Sequence, residues 1–385
     1  MNITIFTGLF PNNLEPQKGT FVFSQAIETA KKLDVTVINP IKYMPKVMSL
    51  LGKRGASSEI PYSEKIGKLK ILRPRYIALP FKIINKILFS VQMFLYLVFV
   101  FRAKSESHFH VHYADPFILP VSLLSLVKRI NIVLTMHGSD VNYPLKGKFI
   151  GAIYKWAINR SSTVIFVSRA LEKSGKNLGF HGGRTVVIPN GFPEEFFVPM
   201  NRSIARKALG ITDNSRKIIL YIGRLDALKG IDDLIEAFIT LPNYSDYFLC
   251  IVGSGPHEQF IRSKISNLRV DNASIYPAVK HEIVPLWMAA SDIVVLPSYS
   301  EGLPTIIPES FAMGKPVVAT NVGGITEIIT DSKYGLVVTA GDITGLGGAL
   351  KQALENDWDD TLIIKYSKTY TWSLIAQRII NLYHQ

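Results

Sequence analysis

Two glutamates with seven residues between them stand out in Pro297-Ser-Tyr-Ser-Glu301-Gly302-Leu303-Pro304-Thr305-Ile306-Ile307-Pro308-Glu309. An ionised carboxylate accepts charge-assisted hydrogen bonds from sugar or ribose hydroxyls, and the backbone of Gly302, Leu303, Pro304 and Thr305 can face a phosphate or a developing negative charge. Pro308 reads as a first helical position. That places Glu309 in an opening turn and leaves Glu301 in a loop, so the pair can reach different parts of one extended ligand. The competing reading has Glu309 merely capping its helix and Glu301 exposed.

Upstream, the apolar run Ile218–Ile222 leads into Gly223-Arg224 and then Lys229-Gly230. Arg224 offers a fork of donors and Lys229 a point charge, and the helix that follows adds free N–H groups, the combination a diphosphate needs. Alternatively, Asp226, Asp232 or Asp233 simply neutralises the two cations. Gly253-Ser-Gly-Pro256, after Phe248–Val252, is a turn where backbone can approach a ligand closely, although no Gly-Lys-Ser/Thr follows to make it a Walker A loop. In the first half, Ile132–Thr135 runs into Met136-His137-Gly138-Ser139-Asp140. His137 can donate a hydrogen bond to a substrate hydroxyl or shuttle a proton near neutral pH, and a lone histidine can equally be structural. The segment Gly8 to Gly19 reads as a flexible entry to a helix, able to close over a substrate. His108, His110 and His112 alternate and share one face of a strand. A metal site is considered there and set aside for core packing or cleft lining, because Asp115 is the only acid close by. Asp357-Trp-Asp359 lacks a preceding strand and is rejected as a cation site, so no metal is expected.

These residues need a scaffold. Apolar runs at Ile3–Phe6, Val35–Ile38, Phe109–Tyr113, Ile132–Thr135, Val164–Val167 and Val186–Ile188 alternate with helix-length segments. A second series does the same: Ile218–Ile222, Phe248–Val252, Ala273–Tyr276, Ile293–Leu296, Val317–Thr320 and Gly335–Val338. Continuous rather than alternating apolarity indicates parallel strands covered on both faces. Each half therefore reads as a doubly wound α/β sheet, with a boundary at Pro189–Arg202 and ligand expected in an interdomain cleft.

Length and charge narrow the class. At 385 residues two domains are expected, and 48% hydrophobic against 19% charged residues excludes a disordered or fibrous chain. The single cysteine, Cys250, closes no intrachain disulfide, which fits a reducing compartment, and the uncharged start Met1–Gly8 reads as a first strand rather than a signal peptide. The expected location is cytoplasmic. Residues 1–190 carry 26 Lys+Arg and 9 Asp+Glu, net +17, whereas residues 191–385 carry 17 and 21, net −4. Fifteen cations face three acids between Lys31 and Lys104, a density suited to anionic lipid, nucleic acid or a phosphorylated substrate, or else a solvated basic face. Fifteen uncharged residues, Ile87 to Phe101, fall short of a span of roughly 17–25 residues and read as a buried or interfacial helix, with a short transmembrane helix as the third possibility.

In order and spacing these motifs resemble the GT-B glycosyltransferases of the group 1, or family 4, class, over nearly the whole chain. The resemblance is carried by Gly8–Gly19 with Thr20-Phe-Val22, His110-Val-His112, His137-Gly-Ser-Asp140, Val187-Ile-Pro-Asn190-Gly191, Gly223-Arg224, Lys229-Gly230, Gly253-Ser-Gly-Pro256, Glu301 to Glu309 and Ala312–Thr320. The Glu-x7-Glu pair placed after Arg224 and Lys229 is its specific part. The resemblance implies two Rossmann-like domains, residues 1–190 on the acceptor side and 191–370 binding a nucleotide sugar, with residues 371–385 a helix that crosses back to the first domain. It implies that Arg224 and Lys229 hold a donor diphosphate, Glu309 the ribose, Glu301 the transferred sugar, and that His137 lines that sugar. Backbone near Val279 and Lys280 would meet the base, with Gly253 and residues 302–305 beside the donor and Gly8, Gly19, His112 and Asp140 on the acceptor side.

The expected reaction is sugar transfer with retention from a UDP- or GDP-linked donor, without metal or other cofactor, because Arg224, Lys229 and helix N-termini can neutralise the leaving group. The expected acceptor is a glycan or lipid-linked glycan of cell-surface polysaccharide assembly. Lys65, Lys68, Lys70, Arg73, Arg75, Lys82 and Lys86 beside the apolar segment lead to an expectation of peripheral attachment to anionic lipid on the inner membrane face, and not of nucleic-acid binding. The rival readings are a non-catalytic sugar-nucleotide-binding subunit and a sugar-nucleotide epimerase of the same two-domain plan.

Overall fold

The structure is a computed structural model that describes residues 1–43, 59–78, 82–102, 107–142, 148–213 and 215–384. Of the basic run, Lys46, Lys53, Arg54 and Lys104 lie outside the described residues. The chain forms two compact units, residues 1–190 together with 372–385, and residues 191–371.

The strands of the first unit are β1 (Asn2–Phe6), β2 (Asp34–Ile38), β3 (Ile41–Lys42), β4 (Ser63–Ile66), β5 (Leu69–Leu72), β6 (Arg75–Tyr76), β7 (Ser107–His112), β8 (Ile130–Met136), β9 (Thr163–Phe166) and β10 (Arg184–Val187). Eight form one sheet in the order β10-β9-β8-β7-β1-β2-β5-β4, and β3 pairs with β6 apart from it. The sheet is parallel except at its β4 edge, which runs antiparallel to β5. This corrects the purely parallel expectation. All four residues of β4, Ser-Glu-Lys-Ile, are exposed, so no apolar signal marks it. Ile3, Ile5 and Phe6 of β1 are buried in mid-sheet. The closing helix Trp372–Tyr383 belongs to this unit, where Trp372, Ile375, Ile379 and Tyr383 join one core with Val22 and Ala26 of the helix Thr20–Ala30.

The second unit holds β11 (Lys217–Ile222), β12 (Tyr247–Val252), β13 (Ala273–Tyr276), β14 (Ile293–Leu296), β15 (Val317–Thr320) and β16 (Gly335–Val338), all parallel in the order β13-β12-β11-β14-β15-β16. The order reverses direction beside β11, where β11 and β14 are neighbours. In such sheets the loops leaving the carboxyl ends at this switch point diverge and leave a crevice.

One ionic anchor sets the other end of β14. Arg206 is 1% exposed and donates from Nε to the Ala290 carbonyl at 2.9 Å, from Nη1 to the Arg216 carbonyl at 3.0 Å and from Nη2 to Asp292 Oδ2 at 2.9 Å. Asp292 Oδ2 also accepts from Ile218 N at 2.7 Å, so the pair pins the starts of β11 and β14 together. A buried guanidinium is tolerated only when its donors are satisfied this fully. Arg206→Ala, which leaves the Asp292 carboxylate without that partner, should lower unfolding stability by about 3–5 kcal/mol, with Arg206→Met losing less. Urea unfolding of the two variants measures the difference.

Candidate functional site

Loops at the carboxyl ends of β11, β13 and β14 carry the second unit's candidates. After β11, Asp226 accepts from Leu228 N at 3.2 Å and starts a single 3-10 turn, Ala227–Lys229. Gly230 follows at φ +64°, where a Cβ would sit 2.0 Å from the Pro297 carbonyl oxygen. That contact brings the loop after β14 alongside, and Tyr299 N donates to Leu228 O at 2.8 Å. Lys229 Nζ thereby reaches Glu301 Oε1 at 2.6 Å, and Ser298 Oγ donates to the same oxygen at 2.7 Å. On its far side the loop is held by Gly323, at φ +56°, whose missing Cβ makes room for the Glu301 carbonyl, and by Gly324 N donating to Gly302 O at 2.9 Å. Glu301 is therefore largely buried and paired, not exposed as in the competing reading. Its other oxygen, Oε2, receives no protein donor among the described residues.

Glu309 lies in the helix Ile306–Ala312, and Pro308 takes the third position of that helix rather than the first. The side chain does not cap the helix. It is 5% exposed and its Oε1 meets His281 Nε2 at 3.1 Å, again leaving Oε2 with no protein donor among the described residues. His281, in the turn after β13, packs its ring against Phe197. Sequence reasoning missed it, though it directly follows the Val279-Lys280 segment. Burial works against a charge on this imidazole, but the hydrogen bond and charge of Glu309, helped by Glu282, outweigh it and hold its pKa above the ordinary value. Arg224 stays open, 70% exposed, with Nε 3.6 Å from Asp226 Oδ2. Lys229 is paired with Glu301 rather than with any of the aspartates considered, and Asp232 pairs with His257 at 2.7 Å.

Gly253 has a different structural reason from the one its sequence context implies. A Cβ there would lie 1.9 Å from the Gly223 carbonyl, and one on Gly255 would lie 2.0 Å from the Leu225 carbonyl, so these glycines let the loops after β11 and β12 abut. The Gly253 N–H is already given to Tyr276 O at 3.0 Å. Gly302, Leu303, Pro304 and Thr305 lead into the Glu309 helix, and the N–H groups of Gly302, Leu303 and Thr305 reach no backbone carbonyl among the described residues. Val279 is half-buried and Lys280 exposed at the end of β13.

In the first unit, His112 Nδ1 and His137 Nε2 share a hydrogen bond of 3.0 Å across β7 and β8. His137 is further enclosed by the rings of Phe21 and Tyr113, at 4.8 and 4.9 Å, and Tyr113 holds a left-handed φ of 68° to stack there. His110 stacks on His112 at 4.3 Å, and its ring nitrogens meet Thr135 Oγ1 at 2.7 Å and the Tyr383 hydroxyl. His110 and His112 share a face as their alternation implies, and both are fully buried among packed side chains. Burial pushes the pKa of His110 down to about 3. Burial and the charge of His110 push His137 down to about 3. Burial, with His110 and His137, pushes His112 well below its ordinary value. Burial thus works against the charged His137 ring that proton shuttling near neutral pH requires, and favours the neutral ring, which donates or accepts a hydrogen bond. With both rings neutral, one proton occupies the shared bond. His137 Nδ1 and His112 Nε2, which have no protein partner among the described residues, must then be opposite in kind, one a donor and the other an acceptor.

The opening loop is held, not loose. Asn12 Oδ1 accepts from Leu14 N and Glu15 N at 2.9 and 3.0 Å, and the buried Arg73 donates to Pro11 O at 3.1 Å. Gly8 packs under the Phe117 ring, and Gly19 takes φ +68° against the Leu9 backbone. Asp140 Oδ2 accepts weakly from Ala114 N at 3.4 Å. Gly8, Gly19, His112, His137 and Asp140 thus all sit at loops or strand ends of the first unit, while Arg224, Lys229, Glu301 and Glu309 sit on the second.

Residues 202–370 match the family described as glycosyl transferases group 1, and residues 51–196 match glycosyltransferase family 4. Over 351 residues the chain is 30% identical to the putative teichuronic acid biosynthesis glycosyltransferase TuaC of Bacillus subtilis (strain 168), covering 88% of this chain and 85% of that one. Among solved structures it is similar to sucrose-phosphate synthase from Thermosynechococcus elongatus, with TM-score 0.79 and 20% identity over 100% of this chain and 99% of that chain. It is also similar to Anabaena Alr3699/HepE, solved in complex with UDP, with TM-score 0.75 and 19% identity over 100% of both chains. The likeness shows a GT-B fold of two parallel-sheet, Rossmann-like domains.

Two titrations follow from the opposed histidine environments. The His281 ring protons, followed by NMR, should titrate above pH ~6.5 in the native chain, and Glu309→Gln should lower that midpoint, since burial is then opposed by the charge of Glu282 without that of Glu309. The stabilisation from this pair is complete below about pH 6.5 and fades as pH rises through the raised value. For His110, His112 and His137 the sign is opposite: stability of the first unit should be complete above about pH 6.5 and fall as acid protonates these rings in the unfolded chain. Thermal unfolding at pH 7.5 and pH 5 checks this.

Proposed function

The chain belongs to the group 1, or family 4, glycosyltransferases, and from that membership we propose that it moves a sugar from a nucleoside diphosphate to a hydroxyl acceptor with retention of anomeric configuration. The observation that carries the proposal is the arrangement of Glu301 and Glu309. Each carboxylate spends Oε1 on a fixed protein partner, Lys229 and His281 respectively, and keeps Oε2 to accept from a hydroxyl. Glu301 receives the hydroxyls of the transferred sugar and Glu309 those of the ribose. Arg224, exposed and forked, takes the diphosphate together with Lys229, whose ammonium has two further protons to donate once Glu301 is bonded. The unengaged N–H groups of Gly302, Leu303 and Thr305 add to this positive edge.

Stabilisation of the departing nucleoside diphosphate contributes most to lowering the barrier in this reaction. Charge builds on the bridging oxygen as the glycosidic bond breaks, and donors already in place need no reorganisation at that moment. The acceptor hydroxyl attacks from the face the diphosphate leaves and passes its proton toward the leaving phosphate, so configuration is kept. No enzyme nucleophile is required. The UDP complex of the Anabaena protein supports a uridine nucleotide donor, and the teichuronic acid relative supports an acceptor that is a cell-surface polysaccharide intermediate.

The test is release of free nucleoside diphosphate from a panel of sugar nucleotides in the presence of membrane lipid extract. Arg224→Ala and Glu309→Ala should each lower kcat by roughly a hundredfold or more, and NMR of the product should show the donor's anomeric configuration. Full activity in either variant removes that residue from the site. Tight nucleotide binding without turnover in the native chain would favour the non-catalytic reading instead.

A further inference from the structure

The helix Lys82–Phe101 has two faces, and neither is polar. Phe89, Met93, Leu97 and Phe101, four apart, are buried, Phe89 against Phe117 and Phe101 against Phe109. Ile84, Ile87, Val91, Leu95 and Phe99 form the opposite stripe and are 48% to 67% exposed. That stripe runs about 22 Å along the helix axis without a charged residue between Ile87 and Phe101. The helix also proves longer than the fifteen-residue apolar run, since its window Ile84–Phe101 is long and apolar enough to cross a membrane by length and composition, with 28% of it buried.

Near the end of the helix, neighbouring elements also carry exposed apolar residues and cations. Arg102 stacks on Phe99, and Lys128 donates to the carbonyls of Phe101 and Arg102. Leu126 and Val127, just before Lys128, are 57% and 63% exposed. Arg160 donates to Ser125 Oγ at 2.8 Å and lies over the ring of Trp156, itself partly exposed. From Arg102 to Arg169 the sequence has nine Lys and Arg against three acids, Glu106, Asp115 and Asp140, and Asp115 is engaged with Lys86.

We propose that this stripe and its rim are a lipid-docking surface, on which the helix Lys82–Phe101 lies in the interface of an anionic bilayer. The inference does not depend on the donor chemistry above. An apolar stripe of this size exposed to water is costly unless covered, and Trp and Arg at its margin suit the headgroup layer, where an apolar body and a polar tip are both satisfied. The buried face rules out a span, because Phe89, Met93, Leu97 and Phe101 are already committed to the core of the first unit and lipid cannot surround the helix. A second copy of the chain is the less fitting occupant. In a two-fold interface the same patch meets itself, which would set the cationic rims that include Arg102 and Arg160 against each other. Anionic headgroups complement that rim and explain why basicity and apolarity coincide here.

Flotation with vesicles tests the assignment. The native chain should float with vesicles of mixed phosphatidylglycerol and phosphatidylcholine, float poorly with phosphatidylcholine alone, and lose binding as salt rises from 0.1 to about 1 M. The double substitution Leu95→Glu with Phe99→Glu, both on exposed positions, should lower partition at least about tenfold while circular dichroism and the thermal transition stay unchanged. A native chain that ignores phosphatidylglycerol vesicles, or a folded double variant that binds as well as native, overturns the proposal. So does release only by detergent, which would mean a span, or light scattering that shows a native dimer converted to monomer by the same substitutions with no lipid binding.

Discussion

Lys229 Nζ and Glu301 Oε1 meet at 2.6 Å where their side chains are 26% and 11% exposed, and much of the second unit's edge follows from that contact. A carboxylate taken this far from water needs partners in place, here the ammonium and the Ser298 hydroxyl. Supplying them requires the loops after β11 and β14 to touch, and two backbones can approach that closely only where side chains are missing. Gly230 at φ +64° and Gly323 at φ +56° are those positions, one against the Pro297 carbonyl and one against the Glu301 carbonyl. Lys229-Gly230 and the Ser298–Glu301 segment, about seventy residues apart in sequence, are therefore one structural feature. Removing either charge leaves the other buried, so the pair shapes the site even before any ligand arrives.

Periodicity made the parallel strands legible. Twelve apolar runs correspond to β1, β2 and β7 to β16, because strands covered on both faces are apolar at nearly every position. The same signal fails where a strand is solvated, as at β4, or lasts two residues, as at β3 and β6. Of the site, residue type and spacing identified the Glu-x7-Glu pair and its cations, but not their partners. Nothing local in the sequence distinguishes His281 from a surface histidine, or Arg206 from the arginine of an exposed helix, since both acquire their roles from residues 28 and 86 positions away. Glycine was legible as a mark of close approach and ambiguous as to what approaches. At Gly253 the neighbour is the Gly223 carbonyl.

Four histidines show why residue type alone does not assign chemistry. His110, His112 and His137 are buried together, so a charge on any one is opposed by lost hydration, and on His112 and His137 by a neighbouring ring as well, and their pKa values fall. His281 is also buried, yet a carboxylate at 3.1 Å reverses the sign. Each outcome suits a different task. A ring neutral across the physiological range offers a fixed hydrogen-bond pattern, whereas a ring beside Glu309 fixes a carboxylate oxygen and leaves its twin open.

The division of charge looks at first contrary to the proposed chemistry, since an anionic donor is assigned to the half of the chain with net charge −4. Net charge is the wrong scale for this decision, because exposed charges farther apart than roughly 8–10 Å are largely screened at physiological ionic strength. Close to the loops, the acids of the second unit are engaged locally. Asp226 caps the 3-10 turn, Asp232 pairs with His257, Asp233 accepts from the Tyr299 hydroxyl, and Glu301 and Glu309 each hold a cation or an imidazole by one oxygen. What remains open at this edge is most of the Arg224 guanidinium, whose Nε alone lies 3.6 Å from Asp226 Oδ2, the spare protons of Lys229 and the N–H groups before the Glu309 helix, a locally positive surface inside a mildly acidic unit. The strong basicity of the first unit therefore calls for a separate explanation, and the coincidence of its cations with an exposed apolar helix face points to a surface, not to the small anionic substrate.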